Sequence, residues 1–578
     1  MTLAKTERVS RRAFFGGAAA TVVCASTRDV VAATERKISG RAGKTSSFFD
    51  LQRVPDRVSV YKTSGEDEDA SVLLVAGARW QASGIEVNTV EGPQGLAISV
   101  VAPSTPLTRI HLRWNFKVDA ALLFLGDAWE RSYGDLAWRT MVPERVMPWY
   151  FAAHDEAAKT THGYGVKTGA GAFCFWQVDP TGVSLWLDVS NGGMGVLLGE
   201  RELHAATVVT RRGREGEHPA DAVAGLCRVM CPKPRLPKQP VYGTNDWYYA
   251  YGRNSEAGIL RDTELVVSLA PTNGARPFSV IDDGWRGNEK FPDMARLAEK
   301  IRGLGARPGI WIRPTIAAEE TDEKLLLPMK HFRSPGKELA YDVTIPEARA
   351  KAIAKMSEVV GWKYELVKHD FSTFDLLGQW GFQMGASPTV AGWSFHDRSR
   401  TNAEILLDYY KALREAAGES TIVLGCNTVS HLAAGVFEMQ RTGDDTSGKV
   451  WERTRRMGVN TLAYRVPQDG TFYSVDADCV GITKAIPWEL NRQWMDLIAR
   501  SGTGLFISPS PDAIGTEQRA AIKDAFAIAA AGVSHGRAFD WLRETTPQEW
   551  EFKSGNDSGY AAKKYDWFGA DGAYPYPT

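Results

Sequence analysis

Between residues 48 and 230 the chain alternates apolar and polar positions in short runs, broken by Gly, Pro and Asp. Val72-Leu73-Leu74-Val75, Leu107-Thr108-Arg109-Ile110-His111-Leu112, Ala172-Phe173-Cys174-Phe175-Trp176 and Val183-Ser184-Leu185-Trp186-Leu187 are examples. A period of two with frequent turn residues predicts an antiparallel β-sandwich, closed by one helical stretch near 220–230. Residues 231–240 hold four prolines. That density prevents both helix and sheet and marks a stiff linker. From 241 to 545 the rhythm becomes strand, loop, helix. Short apolar runs end at Asn245-Asp246-Trp247, Asp282-Asp283-Gly284-Trp285, Trp311-Ile312-Arg313-Pro314, Lys368-His369-Asp370, Gly425-Cys426-Asn427, Arg441-Thr442-Gly443-Asp444-Asp445, Tyr464-Arg465-Val466 and Phe506-Ile507-Ser508. Eight such alternations predict a (β/α)8 TIM barrel. Thr401-Asn402-Ala403-Glu404 reads as a capping box opening a helix that stops at Gly418, and Pro346 and Pro487 open two more. The fifth link, 428–435, is too short for a full helix. Residues 546–578 read as a C-terminal tail, irregular from about Asn556.

The N-terminus reads as an address. Ser10-Arg11-Arg12-Ala13-Phe14-Phe15 precedes a small-residue apolar run, the pattern of a twin-arginine export signal over residues 1–34, followed by a linker at 35–47. The expected location is therefore periplasmic or secreted. No later run is long and apolar enough to span a membrane. The 578 residues carry 68 basic and 69 acidic side chains, a balance that gives no reason to expect a nucleic-acid partner. Nineteen tryptophans suit both sandwich cores and sugar-stacking surfaces. The six cysteines are sparse and no Cys/His cluster shows zinc spacing, so neither a disulfide framework nor a metal or other cofactor is expected.

In a parallel barrel the C-terminal strand tips converge on one cavity. Two carboxylates facing each other there can perform retaining glycoside hydrolysis: one attacks the anomeric carbon, while the other protonates the leaving oxygen and then activates water. Asp370 on the fourth strand and Asp445 on the sixth are the pair chosen. Their expected separation is about 5–5.5 Å, and Asp445, as the acid, is expected to have a raised pKa. Simpler readings exist for each: an ion pair of Asp370 with Lys368, a helix cap at Asp445, a turn at Asp282-Asp283.

The stretches Asp282-Asp283-Gly284-Trp285, Lys368-His369-Asp370 and Arg441-Thr442-Gly443-Asp444-Asp445 resemble the signatures of glycoside hydrolase families 36 and 27, the α-galactosidase clan. In the first domain, Gly126-Asp127-Ala128-Trp129-Glu130-Arg131-Ser132-Tyr133-Gly134-Asp135 is similar to family 36. The resemblance implies Asp370 as nucleophile and Asp445, not Asp444, as acid/base. It implies that Lys368, Arg441 and the pair Asp282 and Asp283 bind sugar hydroxyls, that Trp247, Trp285 and Trp311 wall the pocket, and that Asp478 is a further ligand. Trp129 is a candidate subsite residue, Cys426 a candidate beside the 2-substituent, and Arg313 a candidate partner for an acidic sugar. The pattern departs from the family at His369 and Phe371-Ser372, where Trp and Met-Asn are usual. The implied activity is that of an exported retaining exo-glycosidase on terminal α-galactosides or close relatives. The implied partner is an oligosaccharide or glycoconjugate, and a homo-oligomer fits relatives that assemble through the sandwich. A transglycosidase, a carbohydrate-binding protein with a dead site, and a metal-dependent barrel hydrolase are the alternatives left open.

Overall fold

The computed structural model describes residues 48–62, 70–76, 79–334, 336–555 and 559–568. The expected export signal and the linker at 35–47 lie outside the described residues.

The first domain is built from two antiparallel layers. One joins Arg57–Tyr61, Arg109–Asn115, Gly182–Asp188, Phe173–Asp179 and Met147–Pro148. The other joins Arg79–Ala82, Ile85–Gly92, Gly95–Ala102, Gly199–Arg211, Thr160–Val166, Tyr150–Asp155 and Leu123–Gly126. Ala70–Ala76 pairs into both, so the chain passes from one layer to the other along a single strand. Alternation drives burial: in Arg109–Asn115, Ile110, Leu112 and Trp114 are fully buried while their neighbours are not. Helix Pro219–Met230 closes the domain.

The second domain is a ring of parallel strands: β1 (Tyr242–Asn245), β2 (Phe278–Ile281), β3 (Arg307–Ile312), β4 (Leu366–His369), β5 (Ile422–Gly425), β6 (Met439–Arg441), β7 (Ser474–Asp476), β8 (Val480–Ile482) and β9 (Leu505–Pro509). Neighbours pair in parallel from β1 to β7, β9 pairs with both β1 and β8, and a bridge from Asp476 to Gly504 closes the ring. β7 and β8 are two halves of one stave. The break lies at Asp478, whose φ of 75° reverses the local twist. Helices Glu256–Leu269, Met294–Leu304, Pro346–Gly361, Asn402–Ala417, Trp488–Ser501 and Thr516–Ala531 lie between or after the strands, giving a TIM-like barrel. The capping box forms as read: the Thr401 hydroxyl accepts from the Glu404 N–H, and Glu404 accepts from the Thr401 N–H. The fifth link holds only the four-residue helix Ser430–Ala433.

Two expectations fail. The run ending at Tyr464-Arg465-Val466 is not a strand but the helix Thr461–Arg465, and the seventh stave is β7 with β8. Nor is the chain beyond Asn556 all irregular. Ser534–Ala538, Glu549–Ser554 and Ala561–Lys564 form an antiparallel sheet that buries Trp550 and, just past it, Trp567. The five described cysteines are buried free thiols, and among the described residues no helix is long and apolar enough to cross a membrane.

Candidate active site

All the proposed site residues but one gather at or just inside the C-terminal rim of the barrel. Asp370 follows β4 directly and is buried. Trp311 at the end of β3 donates its Nε1–H to Asp370 Oδ2 at 3.0 Å, and the Phe371 N–H donates to Oδ1 at 2.7 Å. Donors on both oxygens fix the carboxylate's plane. Phe371 has a φ of 66°, a backbone state that costs a bulky residue energy and that clusters at functional sites. The strain lets its N–H turn back onto Asp370. Phe371 is held by edge contacts with Trp311 and Trp380 and by the Arg313 guanidinium over its ring.

A charged network runs beneath. Lys368 Nζ lies 2.7 Å from Asp282 Oδ2, which also accepts from Asn245 at 2.7 Å. Burial alone would depress the Lys368 ammonium, but Asp282, Cys426 and Asp370 together outweigh it and hold the pKa well above its ordinary value. Arg441 Nη2 reaches Asp478 Oδ2 at 2.5 Å, Asp445 Oδ1 at 2.8 Å and the Tyr248 hydroxyl at 3.3 Å. Tyr248 in turn donates to Asp478. The broken stave is what turns Asp478 inward to serve these donors. Cys426 is buried beside Arg441, with Sγ 3.9 Å from Nη1, and burial pushes its thiol pKa well above normal.

Asp283 sits at the opening. Partial burial and the carboxylates of Asp282 and Asp370 push it up from the ordinary range. Asp445 behaves contrary to the sequence expectation. Burial would raise it, but Arg441 and Arg131 outweigh that and hold the carboxyl below its ordinary value. The reason is local: Arg131 Nη1 lies 3.6 Å from the same Oδ1 that Arg441 contacts. Asp444 is taken up by Arg453 at 2.8 Å and Arg131 at 3.3 Å.

The aromatic residues divide. Trp247 is half-buried at the mouth, while Trp285 is buried and donates to the Trp311 carbonyl at 2.9 Å, making it a prop for β3. Trp129 is the one that does not join. Its ring packs edge-on against Trp149 and Phe175 inside the sandwich, with its indole N–H on the Gly385 carbonyl at 2.8 Å. Arg313 lies near the mouth but is gripped by Asp375 at 2.6 and 3.1 Å, so it is not a free partner for an acidic sugar. His369 points away from the cavity into Tyr410 and Phe437, and burial pushes its pKa down to about 3. Among the described residues no group of three or more His, Cys, Asp or Glu is placed to hold a metal ion.

Sequence reading missed Tyr248, Arg131 and Asp246. Asp246 Oδ1 accepts from the Asp282 N–H at 2.7 Å, and burial with the nearby Asp282 charge pushes its pKa up to about 7. Its Oδ2 and the facing Asn254 Oδ1 are both buried acceptors without a donor. A proton on Asp246 supplies one. A carboxyl raised on folding stabilises the fold fully below its unfolded pKa and ceases to do so as pH rises through its folded value. The expected result is that the stability of Asp246→Asn relative to wild type climbs by on the order of 1 kcal/mol per pH unit between about pH 4 and about pH 7 and levels off above that. Thermal melts across that range measure this. Asp469, also raised to about 7, will leave part of the wild-type slope in the variant.

A sandwich leading into a TIM-like barrel is the fold that the chain shares with solved α-galactosidases, one of them of family 36. No family model matches the sequence. The chain is similar in fold to the α-galactosidase of Thermus thermophilus, solved with p-nitrophenyl α-D-galactopyranoside, at 18% identity and a TM-score of 0.56 over 83% of this chain and 97% of that one. It is likewise similar to the family 36 enzyme of Geobacillus stearothermophilus, solved with raffinose, at 13% identity and a TM-score of 0.55 over 87% and 78%. The α-galactosidase of Lactobacillus brevis gives 13% and 0.55 over 87% and 73%.

Proposed function

We propose that the chain is an exported retaining exo-glycosidase that hydrolyses terminal α-galactosides or closely related sugars by double displacement. Asp370 attacks the anomeric carbon as the Asp445 carboxyl protonates the leaving oxygen. Asp445 then removes a proton from the water that releases the sugar. The observation that carries this reading is the placement of the two aspartates at the same rim of one barrel, each oriented by its own donors. Lys368, Asp282, Asp283 and Arg441 supply hydrogen-bonding groups of both signs for ring hydroxyls, and Trp247 an apolar face. That structures of similar fold hold stachyose and raffinose supports an α-galactoside as substrate.

Arg441 and Arg131 hold Asp445 below its ordinary value, so only a small fraction is protonated at neutral pH. The free enzyme is then most active on the acid side, with kcat/KM falling as pH rises. A set of aryl glycosides spanning galactose, N-acetylgalactosamine, arabinopyranose and uronic acids tests the substrate. The galactoside, or one of its neutral relatives, should be cleaved fastest. No cleavage of any of them would refute the reading. Export through the twin-arginine pattern at residues 10–15 is part of the proposal, and Arg11→Lys with Arg12→Lys should retain the protein in the cytoplasm.

A further inference from the structure

After the sandwich strand Leu123–Gly126 the chain crosses to the mouth of the barrel. There Ser132 forms a parallel bridge with Gly443: its N–H donates to the Thr442 carbonyl and its own carbonyl accepts from the Asp444 N–H, both at 2.9 Å. The Ser132 hydroxyl meets that of Thr461 at 2.7 Å. One residue of the first domain is thus woven into the loop that carries Asp445. The preceding residue, Arg131, is buried and aimed at the barrel. Its guanidinium lies 3.3 Å from Asp444 Oδ1 and 3.6 Å from Asp445 Oδ1, over the Trp380 ring at 5.4 Å.

Two details separate this from an ordinary domain contact. Asp444 already has Arg453 at 2.8 Å, so neutralising it does not require Arg131. Arg131 also leaves its Nε buried without a partner, so the loop holds the guanidinium facing the carboxylates at the expense of one of its own hydrogen bonds. At Asp445 both guanidiniums take the same oxygen, Oδ1. Oδ2 accepts no hydrogen bond from any described residue.

We infer that Arg131 is a positioning residue supplied by the first domain: it pins Oδ1 of Asp445 so that Oδ2 is presented to the leaving group. The inference rests on Asp445 being the acid/base. Around Asp445 stand Arg441 on its own strand, Arg131, Lys368 from β4, Arg453 from the following helix, Tyr248 after β1, and Asp444 beside it. Removing one positive charge from this set makes the carboxyl easier to protonate.

The test is the pH dependence of kcat/KM on an aryl α-galactoside for wild type, Arg131→Ala and Arg131→Lys. In Arg131→Ala the basic limb should move up by about one pH unit or more, and kcat should fall further than KM rises. Arg131→Lys should return the limb to its wild-type place. A limb that stays put in Arg131→Ala overturns the inference while leaving the functional reading intact. If wild type cleaves no aryl glycoside, the functional reading fails, and a titration independent of turnover decides the matter. Carbon-13 NMR of aspartate-labelled protein, with Asp445→Asn as the blank, should show the Asp445 midpoint higher in Arg131→Ala, and equal midpoints overturn the inference.

Discussion

Asp370→Asn is expected to reduce turnover by ~10⁴-fold or more, as removal of a covalent nucleophile does elsewhere. The fold should survive. The Phe371 N–H can still donate to the remaining oxygen, but the new amide faces the Trp311 indole N–H, two donors in contact. The loss of that one hydrogen bond should cost about 1 kcal/mol. A melting midpoint close to wild type with activity gone therefore separates the catalytic role from that of an ion-pair partner. The discriminating variant is Asp370→Gly with azide or formate added. An external anion can then occupy the vacated position and attack the anomeric carbon, restoring turnover and, with azide, giving a sugar of inverted configuration. Near wild-type activity in Asp370→Asn would end the assignment.

Asp445→Asn should produce the second-largest effect, and its size should depend on the leaving group. With a natural sugar as leaving group the loss should be roughly 10²–10⁴-fold, because the departing alkoxide needs a proton in the transition state. With a nitrophenolate the first step needs little help, so the loss there should be much smaller. The basic limb of kcat/KM should flatten at the same time, since the group that titrates has been removed. Equal losses across leaving groups would show that Asp445 acts only by holding Arg441. The structure makes that outcome a real alternative, because the Arg441 guanidinium is shared between Asp445, Asp478 and Tyr248.

The barrel's tips were legible where a short apolar run ended in polar residues without interruption, as at Lys368-His369-Asp370 and Asp282-Asp283. The seventh stave was not, because Asp478 cuts it into two three-residue pieces and leaves no continuous run to find. Leu462-Ala463-Tyr464 offered a decoy: three apolar residues carry no period that separates helix from strand. Arg465 looked like a strand tip and is instead fully buried, paired at 2.8 Å with Asp127 of the first domain. Such a pairing between residues far apart in sequence leaves no local trace. The same holds for Asp445. Its charge environment depends on Arg131, which sits in a stretch the sequence flagged but which meets the acid only after the two domains dock. For Trp129 the sequence left the orientation open. Nothing in a turn of Asp-Ala-Trp-Glu tells whether the indole faces the cavity or the sandwich core.

The fully buried guanidinium of Arg465 donates to Asp127 and to the carbonyls of Ala128 and Glu130, and Glu130 is met from the barrel side by Asn427 at 2.6 Å. Cutting the chain at its proline-rich junction would therefore leave the Arg465 cation without its acid in the C-terminal fragment and the Asp127 anion without its base in the other, so neither half is suited to life alone. Chimaeras that exchange one half between relatives will be soluble only when the matching lock travels with its key, which ties the inheritance of the two halves together.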